Sequence, residues 1–254
     1  MKIAVALLMI ACATAAVGGT VAISGGDFLS VLSTGGADKV THVASFRIDR
    51  TPVTNGEFLN FVHHHPEWQR NRVPALFADR DYLSQWQAPD ELGVGVGPLQ
   101  PVTRVSWFAA RAYCAAAGQR LPTWSEWEFV AAADESVSDA RNDAVWRERI
   151  LSWYAKPAGQ PLGDVGLEPM NFYGLYDIHG LVWEWVEDFN ALLVSSDSRD
   201  QSDPDKLKFC GAGAISLADR NNFAVLMRVA FLSALSANSS ARSLGFRCAA
   251  EPTP

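Results

Sequence analysis

The sequence predicts an irregular α+β domain in which short helices and strands are separated by long loops. The helix-like and strand-like patterns are each brief, and Gly and Pro are frequent between them. The 254 residues also include nine Trp and 13 Phe. Because each buried aromatic ring removes a large area from water, such a chain can form a stable core with little regular secondary structure.

Composition places the chain among globular proteins and argues against two kinds of partner. Apolar residues make up 48% of the chain and charged residues 19%, a balance typical of sequences that bury a core. The formal net charge is −7, and no cluster of Lys and Arg stands out. Nucleic acid and anionic membrane surfaces are therefore not expected as main partners.

Residues 1–16 have the pattern of an export signal. Lys2 precedes an apolar run over residues 3–10, and small residues follow at a cleavage-like position. The run is too short for a standard spanning helix, and no transmembrane segment is expected after the signal. The pattern predicts a periplasmic or secreted protein. In an alternative interpretation, Cys12 lies in a loose lipobox and becomes a lipid anchor.

The strands of the mature domain, residues 21–250, are expected where apolar residues alternate. Residues 21–32 alternate loosely around two glycines and predict a strand with a turn, and residues 46–49 predict a short strand. Trp183 and Trp185 alternate as on a strand, which places Glu184 on the opposite face.

Three helices are predicted from capping residues and apolar spacing. Thr54 and Glu57 have the spacing of a capping box, with a helix that runs to about His65. Ser106 starts a second helix, which Gly118 ends. The third covers residues 125–133. Two further stretches are predicted to be irregular: residues 134–166, the expected insertion, and residues 195–206, a polar surface loop.

Three segments, in this order, carry a resemblance to a known family. The first reads Pro101-Val102-Thr103-Arg104-Val105-Ser106-Trp107, Ala112-Tyr113-Cys114, Gly118-Gln119-Arg120-Leu121-Pro122-Thr123 and Glu126-Trp127-Glu128. The second reads Asn171-Phe172-Tyr173-Gly174-Leu175-Tyr176-Asp177-Ile178-His179-Gly180 and Val182-Trp183-Glu184-Trp185. The third reads Leu244-Gly245-Phe246-Arg247-Cys248, preceded by Arg228. Together they resemble the formylglycine-generating-enzyme (sulfatase-modifying-factor) family across most of the mature chain.

The resemblance implies a fold, a disulfide and a metal site. The fold would be related to C-type-lectin-like domains, and the disulfide would join Cys114 to Cys248. The family also builds a calcium site near Glu184 with an Asn whose place here is taken by Leu181, which has no side-chain oxygen. Candidate metal ligands are Glu184, Asn171 and His63, while a structural Glu184 that accepts hydrogen bonds is the alternative.

The two cysteine ligands that bind copper(I) in this family are absent from the sequence. Two cysteine thiolates bind the metal in the founding enzyme, and their places fall here on Asp219 and Ala224. Copper at this pair is therefore not expected. Cys210 and Asp219 remain as catalytic candidates. For Cys210, a reactive thiol, a metal ligand, a disulfide to another protein and a buried apolar role all stay open.

The remaining polar candidates have both structural and functional interpretations. His63, His64 and His65 are consecutive, so on a helix at most two of them could share a metal. Glu187 and Asp188 are acidic candidates for an unusual oxidase, which surface solvation explains equally well.

Three hypotheses follow for the function. The resemblance implies a maturation or accessory factor for an exported client enzyme, most similar to the members associated with copper nitrite reductase. The alternatives are a divergent metal-dependent oxidase and a non-catalytic lectin-like binding module.

Overall fold

Short strands and helices alternate with long loops in the computed structural model, which describes residues 19–32, 40–155, 159–191 and 223–252. The strands of these residues are β1 (Thr20–Ile23), β2 (Gly26–Leu29), β3 (Val40–Val43), β4 (Phe46–Asp49), β5 (Trp183–Glu184), β6 (Leu244–Gly245) and β7 (Ala249–Ala250). The helices are α1 (Asn55–His64), α2 (Trp107–Ala116), α3 (Trp124–Ala131), α4 (Ala144–Tyr154) and α5 (Phe223–Ser233). The mixed, loop-rich fold class predicted from the sequence is confirmed.

The strands form three small sheets. β1, β4 and β7 make an antiparallel sheet in that order, β2 and β3 form a separate antiparallel pair, and β5 lies parallel to β6. The expected strand with a turn at residues 21–32 is thus divided between two sheets. The division occurs at Gly25, whose φ is +70° and where a Cβ atom would lie 2.2 Å from the Val43 carbonyl oxygen. Only glycine meets both constraints.

The predicted helix starts agree with the observed caps. Thr54 and Glu57 form the capping box of α1, and the Ser106 side chain accepts a hydrogen bond from the Ala109 amide at the start of α2. A second capping box, between Thr123 and Glu126, starts α3. These side chains satisfy amides that a helix leaves unpaired at its first turn.

Two helices lie where the sequence predicted none. α4 falls within residues 134–166, is capped by Asp143, and buries only Trp146 and Ile150. Because its apolar face is so narrow, the sequence of α4 shows no helical spacing of apolar residues. α5 is apolar almost all around, a pattern that gives no clear period either.

Aromatic side chains make up much of the core. The ring of Phe58 contacts those of Phe61, Trp86, Tyr113 and Phe246, with centroids 5.3–6.3 Å apart. The buried indole nitrogen of Trp86 donates a hydrogen bond to the Asn55 side chain, so its polar group is satisfied. The core is therefore rich in aromatic side chains, as the composition predicts.

A disulfide joins the middle of the chain to its end. Cys114 of α2 and Cys248 are both fully buried, and their Cα atoms are 5.5 Å apart. This pairing is the one that the resemblance implied. The bond closes a long loop, since the two residues are 134 positions apart.

Replacing both cysteines, Cys114→Ala with Cys248→Ala, is expected to lower the free energy of unfolding by about 2–5 kcal/mol, because a large loop regains its freedom in the unfolded chain. Urea denaturation of the oxidised wild type and the double variant measures this difference. Non-reducing peptide mapping provides the control, and recovery of Cys114 linked to a different cysteine would refute the pairing.

Candidate functional site

A fully buried ion pair between Glu184 and Arg247 lies at the centre of the family motifs. Glu184 enters from β5, and Arg247 follows β6, which is the strand paired with β5. The Arg247 Nη2 atom lies 2.8 Å from Glu184 Oε1, and its Nε atom lies 2.9 Å from Oε2. The indole nitrogen of Trp127 also donates to Oε2. Both carboxylate oxygens of Glu184 are therefore engaged by protein donors.

Arg247 uses its remaining donors to hold two other segments. Its Nη1 atom donates to the carbonyl oxygens of Asp49 and Arg50 at the end of β4, and its Nη2 atom donates to the carbonyl of Tyr176. Removing two charges from water is costly, and such a pair is tolerated only when the remaining lone pairs and protons are also satisfied. The five donors of one guanidinium meet that condition here.

Arg228 of α5 is a second buried cation beside this pair. Its guanidinium carbon lies 3.5 Å from the ring centroid of Trp127, and its Nη2 atom donates to the Glu184 carbonyl oxygen. Its Nε atom has no hydrogen-bond partner among the residues that the structure describes. Burial lowers the pKa of Arg228 to about 10, while Glu184 acts in the opposite direction.

His179 also packs against Trp127. Its ring contacts Trp127 and Trp146 edge-on, each at 5.7 Å between centroids, and its Nε2 atom is 2.8 Å from the Ala131 carbonyl oxygen. This carbonyl places the proton on Nε2, so the buried Nδ1 atom is a bare acceptor. Burial lowers the pKa of His179 to about 4, so the ring is neutral at physiological pH.

The candidate metal ligands from the sequence each have protein partners. The Asn171 side chain accepts from the amides of Tyr173 and Leu175 and donates to the Val130 carbonyl, which fixes the loop that it starts. Leu181 has no side-chain oxygen, and the side chains of Glu184 and Asn171 already bond to protein donors, so these three side chains do not fit the oxygen-rich shell of calcium. Within the described ranges, no group of three His, Cys, Asp or Glu side chains could hold a metal.

The three consecutive histidines point to different partners at the end of α1. His63 contacts the Asp90 carbonyl through Nε2, and His64 contacts the Asn60 carbonyl through Nδ1. The ring of His65 stacks on Phe61 at 4.9 Å.

The acidic pair after β5 is tied to neighbouring helices. Glu187 forms an ion pair with Arg111 at 3.2 Å, and Asp188 accepts a hydrogen bond from the Trp124 amide at the start of α3. Burial raises the pKa of Asp188.

Several predicted features lie outside the described residues. These are the signal at residues 1–16 with Cys12, the loop at residues 195–206, Cys210 and Asp219. Ala224 lies near the start of α5. In the part of the chain that the structure covers, no helix has the length and apolar character needed to cross a membrane.

The roles of Arg247 and Arg228 were not recognised in the sequence, although both residues stood in the family motif. A signal for them exists. Glu184 stands between two Trp residues, and Arg228 stands in an apolar helix. A charge in either setting needs a buried partner, which is Arg247 for Glu184 and the Glu184 carbonyl for Arg228.

Glu184→Gln is expected to lower the free energy of unfolding by about 3–5 kcal/mol, because Arg247 is left as an uncompensated buried charge. Glu135→Gln is the matched control. Glu135 also forms a two-point contact with an arginine, Arg149, but their side chains are 41% and 55% exposed, so this change is expected to cost about 1 kcal/mol or less. Equal losses in urea denaturation of the two variants would contradict the assigned role of Glu184.

Acidification is expected to destabilise the protein through His179. Its pKa is about 4 in the folded protein and about 6.5 in the unfolded chain, so the unfolded chain binds the proton more readily. The neutral His179 therefore contributes to the free energy of unfolding in full above pH ~6.5, and this contribution is lost as the pH falls toward ~4. His179→Gln places an amide nitrogen near the position of Nε2, so it keeps a donor for the Ala131 carbonyl but does not titrate. Between those pH values, the free energy of unfolding of the variant should therefore fall less than that of the wild type, as measured by urea denaturation at each pH. An equal fall in both proteins would exclude His179 as the cause.

The comparison with known proteins agrees with the motifs and the fold. The inactive Cα-formylglycine-generating enzyme 2 of Bos taurus is 31% identical over 249 residues, covering 82% of this chain and 77% of that protein. The formylglycine-generating enzyme of Thermomonospora curvata is 28% identical over 288 residues, covering 92% and 94%. The crystal structure of CarF has the same fold, with a TM-score of 0.51 at 18% identity over 93% of this chain and 99% of that one. The family model described as the sulfatase-modifying factor enzyme 1-like domain matches residues 7–252, and the chain belongs to that family.

Proposed function

We propose that this protein is an exported accessory or maturation factor for a client enzyme, and that it works without the copper chemistry of the formylglycine-generating enzyme. The proposed compartment is the periplasm or the extracellular space, reached through the signal at residues 1–16. The proposed client is an exported copper enzyme of the nitrite reductase type. The motif resemblance noted in the sequence supports that choice of client.

The observation that carries this proposal is the loss of the thiolate pair. The chain has no Cys between Cys210 and Cys248, and Asp219 and Ala224 occupy the places of the two copper ligands. Carboxylate and methyl groups do not bind Cu(I), which prefers soft sulfur ligands. These residues do not fit the family's metal, and no catalytic step is assigned through it.

The geometry supports a retained scaffold without that reaction. The Glu184–Arg247 pair is complete within the protein, and Asn171 serves the loop in which it lies. The likeness to a mammalian relative whose name describes it as inactive supports the same separation of fold from activity.

A divergent oxidase is the second candidate. It is favoured by the likeness to the Thermomonospora curvata formylglycine-generating enzyme over nearly the full length of both chains. Cys210 and Asp219 are the residues proposed to contribute to such a site. A stoichiometric redox metal in the protein purified from its native host would favour this candidate.

Deletion of the gene in the native host is expected to remove periplasmic copper-dependent nitrite reductase activity while the reductase polypeptide is still exported. The wild-type gene should restore the activity. A Cys210→Ser, Asp219→Asn double variant should restore it as well, because the proposed role uses neither side chain. Unchanged reductase activity in the deletion strain would refute the proposed client. Restoration by the wild type alone would favour the oxidase.

A further inference from the structure

A groove of about 790 Å³ runs beside β2, and neither Glu184 nor Arg247 lines it. One wall is the chain from Ala22 to Leu29. The other wall is formed by Phe129 of α3 and by the loops that carry Arg141 and Phe172. No residue of β3 lines it, so the groove follows the side of β2 that faces away from its partner strand.

The outer edge of β2 presents backbone hydrogen-bonding groups to this groove. Among the described residues, β2 pairs with β3 alone. The Leu29 carbonyl accepts a hydrogen bond of 2.6 Å from Arg141, a groove residue, and so points away from β3. In an antiparallel pair, alternate residues direct their backbone groups to opposite sides. Asp27 therefore directs its amide and carbonyl to the same outer edge as Leu29, and such an edge is a template for another strand.

Aromatic rings form much of the apolar lining of the groove. Phe28 and Phe129 pack edge to face with centroids 5.5 Å apart, and Tyr173 lies 5.6 Å from Phe129. Phe172, next to Tyr173, is 53% exposed. This open ring extends the apolar lining that Phe28, Phe129 and Tyr173 give the groove beside the outer edge of β2.

The groove walls are fixed in place by a buried carboxylate. Glu128 accepts hydrogen bonds from the Ser30 hydroxyl, the Val31 amide and the Trp124 indole, which ties the end of β2 to α3. Arg141 is held by two contacts with Asp139. Because the walls are already ordered, a ligand would lose little free energy in arranging them.

The charge of the groove selects the kind of strand that it would take. The side chains of Asp27 and Asp139 are 65% and 47% exposed. Among the groove's described residues, Arg141 is the cation; its side chain is 11% exposed and already paired. His42 contacts Asp27 from the neighbouring strand. Because Asp139 and Arg141 balance each other, Asp27 supplies the exposed negative charge of the groove, which complements Lys or Arg.

We propose that this groove binds an extended polypeptide segment of a partner protein, which adds to β2 as an extra strand. Its backbone would bond to the Asp27 amide and carbonyl and to the Leu29 amide, because the Leu29 carbonyl already accepts from Arg141. An apolar or aromatic side chain would pack against Phe172, and a basic side chain would lie near Asp27. Strand addition obtains affinity from main-chain hydrogen bonds and specificity from alternate side chains. Identifying the partner as the client enzyme rests on the proposed function; the binding of a strand does not.

The probe is a fluorescein-labelled synthetic peptide of about nine residues, long enough to span about 30 Å when extended. It alternates Thr with Phe or Lys. Two further versions carry N-methyl groups on alternate residues, one on the odd positions and one on the even positions. An added strand bonds to β2 through the amides of either its odd or its even positions. The version that is methylated at those positions should bind at least about tenfold more weakly, while the other version retains most of its affinity. Fluorescence anisotropy with the full chain measures each dissociation constant.

Matched variants locate the peptide. Phe172→Ser should weaken binding about tenfold, whereas Leu167→Ser, which also removes an exposed apolar side chain but lies outside the groove, should leave it unchanged. Asp27→Asn should weaken binding about two- to fivefold, as expected for an exposed charge, and Asp90→Asn should not. Circular dichroism checks that each variant is folded.

Three results would overturn the proposal. The first is the absence of saturable binding of the unmethylated peptide, and the second is binding that both N-methylated versions retain equally. The third is binding that Phe172→Ser leaves unchanged while Leu167→Ser weakens it. If the peptide binds to the groove but the deletion strain keeps its reductase activity, the strand site stands and the proposed client fails.

Discussion

The fully buried ion pair between Glu184 and Arg247 is the constraint on which the rest of the described structure depends. Burying two charges costs more than their attraction returns unless every remaining donor and acceptor is satisfied. The chain meets this demand by bringing Trp127, the Tyr176 carbonyl and the end of β4 around one guanidinium and one carboxylate. Segments that are distant in sequence must therefore meet at one point. This requirement accounts for a well-defined core in a chain with so little regular secondary structure.

The C-terminal segment, residues 244–250, connects the ion pair to two of the sheets. β6 pairs with β5, Cys248 forms the disulfide with α2, and β7 completes the sheet with β4. Gly245 permits the close approach, since a Cβ atom there would lie 2.5 Å from the Val102 carbonyl oxygen. Within about seven residues, the chain therefore contributes a strand pair, a buried charge, a covalent link and a sheet edge. A substitution in this segment should disturb several of these contacts together. The effects of two such substitutions on the free energy of unfolding are therefore not expected to add.

Features that depend on neighbouring residues could be predicted from local patterns, whereas contacts between distant residues could not. The Cys114–Cys248 pairing, 134 positions apart, came from the family resemblance and not from a local pattern. Thr54 and Glu57 lie three positions apart, so their capping box is visible in the chain itself. The two unpredicted helices, α4 and α5, owe their positions to tertiary packing, because one has a narrow apolar face and the other is apolar almost all around. The motif brought attention to Glu184, but its partner Arg247 is 63 positions away. No local pattern joins the two.

The satisfied centre is compatible with the proposed loss of the family's copper chemistry. The carboxylate of Glu184 and the side chain of Asn171 each bond to protein donors. Under the proposed function, a family member without thiolates at the positions of Asp219 and Ala224 acts through the surfaces that it presents. The groove beside β2 is one of these surfaces, and Glu128 of α3 holds its wall through Ser30 and Val31. The neighbouring residue of the same helix, Trp127, donates to Glu184. The groove and the buried ion pair therefore share α3, and a change that moves this helix at one of them is expected to be felt at the other.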